Sequence, residues 1–317
     1  MNALLDIKNL TLCFNGISVI HNLDLSLNKG KVLALVGESG SGKSMTAFSI
    51  MRLVPPPGKI TDGKIFLEGK DLLKLSEEEM RRRRGKDISM IFQEPMTSLN
   101  PVLTISRQMT EAMESHQKIS RKDAIEKAVR LLDRVGIPAP RERLQDYPHQ
   151  FSGGMRQRVM IAMAMASSPM LLLADEPTTA LDITIQRQIL QLLRSLSHEE
   201  SMGILLITHD LGVVAECADD VAVMYAGELV ETCPAEEFFR NPLHPYAQKL
   251  LECAPLVGNH EQSRLPFIPG SVPLPGHLPR GCTFLPRCPY ANRDCRNIQK
   301  LKFISENHAV RCHFLPN

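Results

Sequence analysis

No charge of one sign dominates this chain. Its 317 residues carry 37 Lys and Arg against 35 Asp and Glu, a formal net charge of +2. That balance removes the electrostatic case for a nucleic-acid partner. A long apolar run is missing too. The most hydrophobic stretch, residues 159–175, is interrupted by Ser167, Ser168 and Pro169 and ends in Asp175. No segment therefore reads as a membrane span. Residues 1–10, MNALLDIKNL, lack a basic segment followed by an apolar one, so no signal peptide is expected. No motif occurs twice, which excludes a repeat architecture. What remains is 43% hydrophobic and 23% charged, the balance of a soluble globular chain long enough for one large domain and an appendage.

Eight cysteines are present. In a cytosolic setting disulfides are rare, so core packing, metal ligation or redox chemistry are the uses to weigh. Cys13, Cys217, Cys233 and Cys253 are scattered singly and read as small core residues. The other four cluster in the tail.

The chain opens with alternating runs, LLDIKNLTLCF and ISVIHNLDLSL, that predict antiparallel strands. KVLALVG is a continuous apolar run ending in glycine, as in a buried strand. A helix is predicted from about Lys43 to Leu53, stopped by PPPG. A second β-like stretch is GKIFLEGKDL. In SEEEMRRRRG, Glu77, Glu78 and Glu79 stand four residues before Arg81, Arg82 and Arg83, which predicts an exposed, ion-paired helix. Helical periodicity runs from Ile105 to Arg143. LLLAD and GILLIT predict buried strands, each followed by a helix, and VAVMYAGELVE predicts a hairpin turning at Ala-Gly. From about Pro242 the character changes: residues 266–289 hold seven prolines, and this loop-rich tail needs another source of order.

Residues 37–44, GESGSGKS, fit the phosphate-binding loop pattern between a buried strand and a helix. The backbone amides of Gly37, Glu38, Ser39, Gly40, Ser41 and Gly42 are expected to curl around an anion at the helix N-terminus. Lys43 is expected to reach the β- and γ-phosphates of a nucleotide and the Ser44 hydroxyl to ligate Mg²⁺. LLLADEP adds the carboxylates such chemistry needs. Asp175, at a strand end, holds Mg²⁺ through water, and Glu176 polarises the attacking water.

FSGGMRQRVMIAMA, residues 151–164, then resembles the signature of ATP-binding cassette (ABC) ATPases, usually Leu-Ser-Gly-Gly-Gln. Phe151 and Met155 depart from that consensus, while the Ser-Gly-Gly centre is intact. The resemblance covers about residues 4–240 and implies an α/β phosphate-loop fold with an ABC-type nucleotide-binding domain, an antiparallel β subdomain and a helical subdomain near residues 96–165. It implies that Ser152, Gly153 and Gly154 serve the nucleotide held by a partner ATPase, so that ATP is sandwiched in a dimer. Gln93 in MIFQEP matches the loop that contacts Mg²⁺ and water and faces the membrane partner. Asp182 in TTALD matches the D-loop, and His209 in LLITHD the switch histidine at the γ-phosphate. Phe14 in LCFNG stands where the family stacks an aromatic on adenine.

NPLHPYAQKLLECAP and PRGCTFLPRCPYANRDC resemble the C-terminal extension of dipeptide and oligopeptide importer ATPases, a group that also includes nickel-chelate importers. The implied partners are a second ABC ATPase subunit (a heterodimer, with a homodimer as alternative), two transmembrane permease subunits and, indirectly, an extracytoplasmic solute-binding protein. The implied location is peripheral, on the cytoplasmic face of the inner membrane. A soluble ABC ATPase without a permease is the rival reading. Residues 1–240 are expected to form the ATP-binding domain and residues 241–317 the extension.

Cys282, Cys288, Cys295 and Cys312 are separated by five, six and sixteen residues. These spacings match neither a C-x-x-C zinc knuckle nor a ferredoxin. Four thiolates suit Zn²⁺ or a [4Fe–4S] cluster, and the resemblance implies the cluster, with Zn²⁺ or four free thiols as alternatives. His308 and His313, flanking Cys312, are expected at the surface. A proline-rich tail with little apolar periodicity is expected to lean on such a metal centre for order.

Overall fold

The computed structural model describes residues 3–92, 99–179, 181–254 and 267–313. The chain forms two compact units, one of Met1–Lys74 with Leu206–Asn317 and one of Leu75–Leu205.

In the first unit, strands β1 (Leu5–Phe14), β2 (Ile17–Leu27), β4 (Gly58–Leu67) and β5 (Lys70–Asp71) make an antiparallel sheet in the order β2-β1-β4-β5. The predicted alternation holds: Leu5, Ile7, Leu10 and Leu12 are buried along β1. A second sheet is built on β3 (Val32–Val36), buried at every residue and parallel to β9 (Asp220–Tyr225). Parallel strands covered on both faces read as continuous apolar runs, which VLALV does. β9 turns through Ala226 and Gly227, both at positive φ (46° and 84°), into antiparallel β10 (Glu228–Pro234). Two successive positive-φ residues are what a tight hairpin demands. Helix α1 (Lys43–Met51) follows β3 and stops where Arg52 enters the left-handed region, two residues before the predicted end.

The second unit holds β6 (Ile88–Ile91) parallel to β7 (Leu171–Asp175). It begins with α2 (Glu77–Arg83), whose Ser76 and Glu79 form a reciprocal capping box. The predicted ion pairs are partly rearranged. Arg82 binds Glu78 as expected, but Glu77 binds Arg84 and Arg83 binds Asp87, because Glu79 turns back to cap Ser76. Helices α3 (Ile105–Glu114), α4 (Arg121–Arg134), α5 (Pro140–Arg143) and α6 (Gly153–Ala164) make a helical block. Thr104, Ser120 and Ser152 cap three of their N-termini. The long helix α7 (Ile183–Glu200) starts at the capping residue Asp182.

The tail returns to the first unit, and its order differs from the expectation. Strand β12 (His308–Val310) adds antiparallel to β10, pairing Glu231 with Val310, and β11 (Lys302–Ser305) pairs with β12 beyond it. Arg311 donates its amide to Val230 O (2.7 Å) and its Nε to Leu229 O (2.8 Å). Phe284 is fully buried, 5.1 Å from the Tyr225 ring and 5.3 Å from Tyr246 of α10 (Pro245–Cys253). The tail is thus ordered by strand addition and by an aromatic anchor, in addition to anything its cysteines bind. His308 is also not at the surface. It is buried, with Nε2 2.8 Å from Glu231 Oε1, and the same carboxylate accepts the amides of Leu243 and His244. The short strand draws the imidazole inward to a carboxylate that burial obliges to find donors.

Candidate functional site

The phosphate-loop residues lie between β3 and α1. Gly37 adopts φ 152° against β9, where a Cβ would lie 2.2 Å from Met224 O. No side chain can stand there without displacing the strand. Gly40 and Gly42 are also at positive φ (79° and 102°), and a Cβ on Gly40 meets open space. The turn of the β9–β10 hairpin holds the loop from behind, Gly227 donating to Ser41 O at 3.0 Å. Ser39 and Gly40 are exposed. Helix α1 begins at Gly42 with no side-chain cap, so its first amides and their partial positive charge face the loop. Lys43 Nζ is buried and donates to Gly37 O (2.8 Å), Glu38 O (2.9 Å) and Ser41 Oγ (3.4 Å). The ammonium is held inside the curl of the loop, where an anion would find it.

Glu38 is held from outside the loop. Its amide donates to Tyr246 Oη at 2.8 Å, and its carboxylate takes a two-pronged ion pair from Arg287 at 2.9 and 3.1 Å. Neither partner was legible in the sequence. At the end of β1, Phe14 is half-buried and pairs with Gly58, where a Cβ would come within 2.6 Å of its Cζ. That glycine leaves room for the ring. His209 is exposed just after β8 (Gly203–Thr208), before α8 (Leu211–Cys217), which Asp210 caps.

In the second unit, Asp175 is buried at the end of β7. Glu176 follows in the left-handed region (φ 47°), with Thr179 Oγ1 donating to its Oε2 at 3.0 Å. A non-glycine residue rarely accepts that conformation. Ser152 and Gly153 are exposed at the N-terminus of α6, with Ser152 Oγ accepting from Met155 N at 3.3 Å. Phe151, one departure from the signature consensus, is a core residue at 3% exposure. A Cβ on Gly154 would lie 2.7 Å from Ile185 Cγ2, so glycine lets the start of α6 approach the start of α7. The signature and Asp182 are thereby neighbours, and Asp182 Oδ1 accepts from Ile185 N at 2.9 Å. Gln93 lies outside the described residues.

The four tail cysteines line one small cavity with Phe284 and His313. Cys295 and Cys312 are buried; Cys282 and Cys288 are half-buried. Burial pushes the Cys282 thiol up to about 12, a backbone hydrogen bond from Phe284 opposes this, and the neighbouring thiols add to it. Burial raises Cys288 as well. As folded, these two sulfurs keep their protons at neutral pH, and a cation arriving there would have to displace them. His313 Nδ1 is 3.9 Å from Cys295 Sγ, while its Nε2 is buried without a hydrogen-bond partner. Among the described residues, only Glu231, Cys233 and His308 bring three ligand-type atoms within 4.8 Å of one another. Their carboxylate is already engaged by hydrogen bonds.

Residues 20–179 match the family described as ABC transporter, and residues 230–295 match the oligopeptide/dipeptide transporter C-terminal region. The chain is 50% identical to the oligopeptide transport ATP-binding protein AppD of Bacillus subtilis, over 98% of this chain and 97% of that one. It is 49% identical to OppD of the same organism, over 99% and 90%. Among solved structures it resembles an ATP-binding cassette captured as a post-hydrolysis dimer with ADP and Pi, with TM-score 0.65 and 28% identity over 73% of this chain and 98% of that one.

Proposed function

Because the chain belongs to the ABC transporter family as the ATP-binding subunit of an oligopeptide importer, an ATPase coupled to peptide uptake, we propose how its residues divide that work. The observation that carries the reading is Lys43, buried within an open glycine loop at an uncapped helix start.

The amides of residues 37–42 and α1 cradle the phosphates of ATP, and Lys43 turns from the loop carbonyls to the β- and γ-oxygens. Mg²⁺, when bound, spreads the charge that develops on the phosphates. Ser44, Asp175 and Gln93 are the residues that would hold it. Glu176 polarises the attacking water, and His209 senses the γ-phosphate. Phe14 stacks on adenine. Ser152, Gly153 and Gly154 present a second anion-binding helix start, with Asp182 beside it. One chain has no use for two cradles on one ATP, so this surface serves the nucleotide of a partner ATPase. A heterodimer is the preferred assembly and a homodimer the alternative. The ATP-binding domain is taken as residues 1–240, with a helical subdomain near 96–165, and the extension as 241–317.

No described helix is long and apolar enough to cross a membrane. Attachment through two permease subunits, peripherally and on the cytoplasmic face, with a solute-binding protein acting on the far side, is the arrangement that the family membership supports. Oligopeptides are the cargo class, and nickel chelates or other small solutes the alternative.

The cysteine cavity fits a thiolate-bound centre: four sulfurs line it, and an unpartnered imidazole nitrogen is buried beside it. Cys282, Cys288, Cys295 and Cys312 are assigned to a [4Fe–4S] cluster, with Zn²⁺ as alternative. Such a centre supplies a cross-link for the tail and redox chemistry.

One preparation tests both parts. The full chain is isolated from membranes in mild detergent without oxygen. Permease subunits are expected to co-purify, with about four irons and four acid-labile sulfides per chain. Recovery with no membrane protein would favour the soluble rival. About one zinc and no iron would replace the cluster, and a metal-free chain would remove the assignment.

A further inference from the structure

We propose that the C-terminal extension completes the nucleotide site: Arg287 neutralises and positions Glu38, so that a residue of the tail sets the affinity of the phosphate loop for ATP. This rests on the reading of residues 37–44 as the nucleotide loop.

The loop contains an acidic residue where it is to receive a polyanion. Left bare, the Glu38 carboxylate would repel the phosphates. Arg287 removes that charge with a fork-to-fork pair, Nη1 to Oε1 at 2.9 Å and Nη2 to Oε2 at 3.1 Å. The Arg287 side chain is only 4% exposed and the Glu38 side chain 30%, so water screens the pair less than it would two surface charges. The guanidinium is also fixed on its other sides. Nε donates to Pro269 O (2.9 Å), Nη2 to Ile268 O (3.2 Å) and Nη1 to Tyr225 Oη (3.3 Å). The tail thus holds the cation in place independently of Glu38.

Glu38 is gripped at each polar group of its own. The side chain goes to Arg287, the amide to Tyr246 Oη at 2.8 Å, and the carbonyl accepts from Lys43 Nζ at 2.9 Å and from Ser41 N at 3.2 Å. Two of these grips come from residues beyond 241. Tyr246, Tyr225 and Phe284 pack ring to ring, with centroids 4.6 to 5.3 Å apart. Arg287 itself closes the short turn Leu285–Arg287, between Phe284 and Cys288, which both line the thiol cavity. The wall of that cavity and the hold on Glu38 are one stretch of chain. Arg287 is a positioning residue, acting on nucleotide through Glu38.

The test is a double-mutant cycle on the full-length chain, read by equilibrium binding of a non-hydrolysable ATP analogue with Mg²⁺ and by steady-state kinetics. Arg287→Gln exposes the carboxylate and is expected to weaken binding about tenfold, raising KM while changing kcat less than about threefold. In a Glu38→Gln background there is no charge left to neutralise, so adding Arg287→Gln is expected to alter binding less than about twofold. A purely structural Arg287 would lower binding equally in both backgrounds, and that outcome overturns the proposal, as does unaltered binding in Arg287→Gln alone. Should Arg287→Gln not fold, Arg287→Met removes the charge while keeping the length of the side chain. It is expected to raise KM about tenfold with Glu38 present and less than about twofold with Glu38→Gln, and equal effects in the two backgrounds would overturn the proposal. Lys43→Ala is the control for the premise: equal binding by Lys43→Ala and the unaltered chain would mean that the loop reading, not the Arg287 inference, has failed.

Discussion

A Glu176→Gln chain is expected to bind ATP and to release almost no phosphate. Glu176 stands one residue past a buried strand, in a left-handed conformation, with Thr179 holding Oε2 at 3.0 Å. Glutamine has the same shape, and its carbonyl oxygen can still accept from Thr179, so the backbone turn and the ATP cradle should survive. What is lost is the negative oxygen that draws a proton from water. A positioned base contributes about 10² to 10⁴ in rate, so steady-state phosphate release should fall by about 10³-fold, with nucleotide affinity changed less than about threefold. With ATP sandwiched between two ATPases as proposed, this variant should accumulate as an ATP-bound dimer, visible by light scattering. Hydrolysis at the unaltered rate would remove Glu176 from its assigned role.

A Lys43→Ala chain is expected to fail one step earlier. In the structure the Lys43 ammonium sits against Gly37 O, Glu38 O and Ser41 Oγ. It is the cation carried within the loop, and charge-assisted bonds to phosphate are about twice as strong as neutral ones. Its removal strips ATP of that partner and takes one donor from each of two loop carbonyls, Gly37 O and Glu38 O, of which Glu38 O keeps Ser41 N. Affinity for MgATP should drop by about 100-fold or more, measured by titration calorimetry, while the thermal melt shifts by only a few degrees. Tight binding by Lys43→Ala would contradict the site. The two variants separate binding from turnover, and together they distinguish the two residues' roles.

The nucleotide loop was legible because its chemistry is local. Eight consecutive residues carry the glycines, the lysine and the hydroxyl, and the strand before them announces itself by an unbroken apolar run. The same holds for LLLADEP and for the Ser-Gly-Gly start of α6. Ser152 and Asp182 were singled out by the family resemblance, although the sequence could not reveal that they cap α6 and α7 or that Gly154 must be small to clear Ile185. The grip of Thr179 on Glu176 could have been suspected from its three-residue spacing.

The tail was read less well. Its prolines and weak periodicity suggested a segment with little core. In the structure a three-residue strand, His308–Val310, pairs with β10, and one phenylalanine enters the aromatic core. Three residues are too few to show alternation, and a strand partner nearly eighty residues away leaves no mark on the spacing. His308 was placed at the surface for the same reason: nothing near it in sequence announces Glu231. The pairing of Glu38 with Arg287 spans 249 positions. Each residue alone reads as an ordinary solvated charge, and only the fold brings them together.

The measurement that tests the account most directly is uptake of a labelled oligopeptide into vesicles. These would contain the permease, this chain and its partner ATPase, supplied with the solute-binding protein outside and MgATP within. The account predicts accumulation that requires ATP and tracks phosphate release, and that is lost with Glu176→Gln in this chain. Peptide uptake that continues without ATP, or phosphate release indifferent to peptide and permease alike, would contradict it.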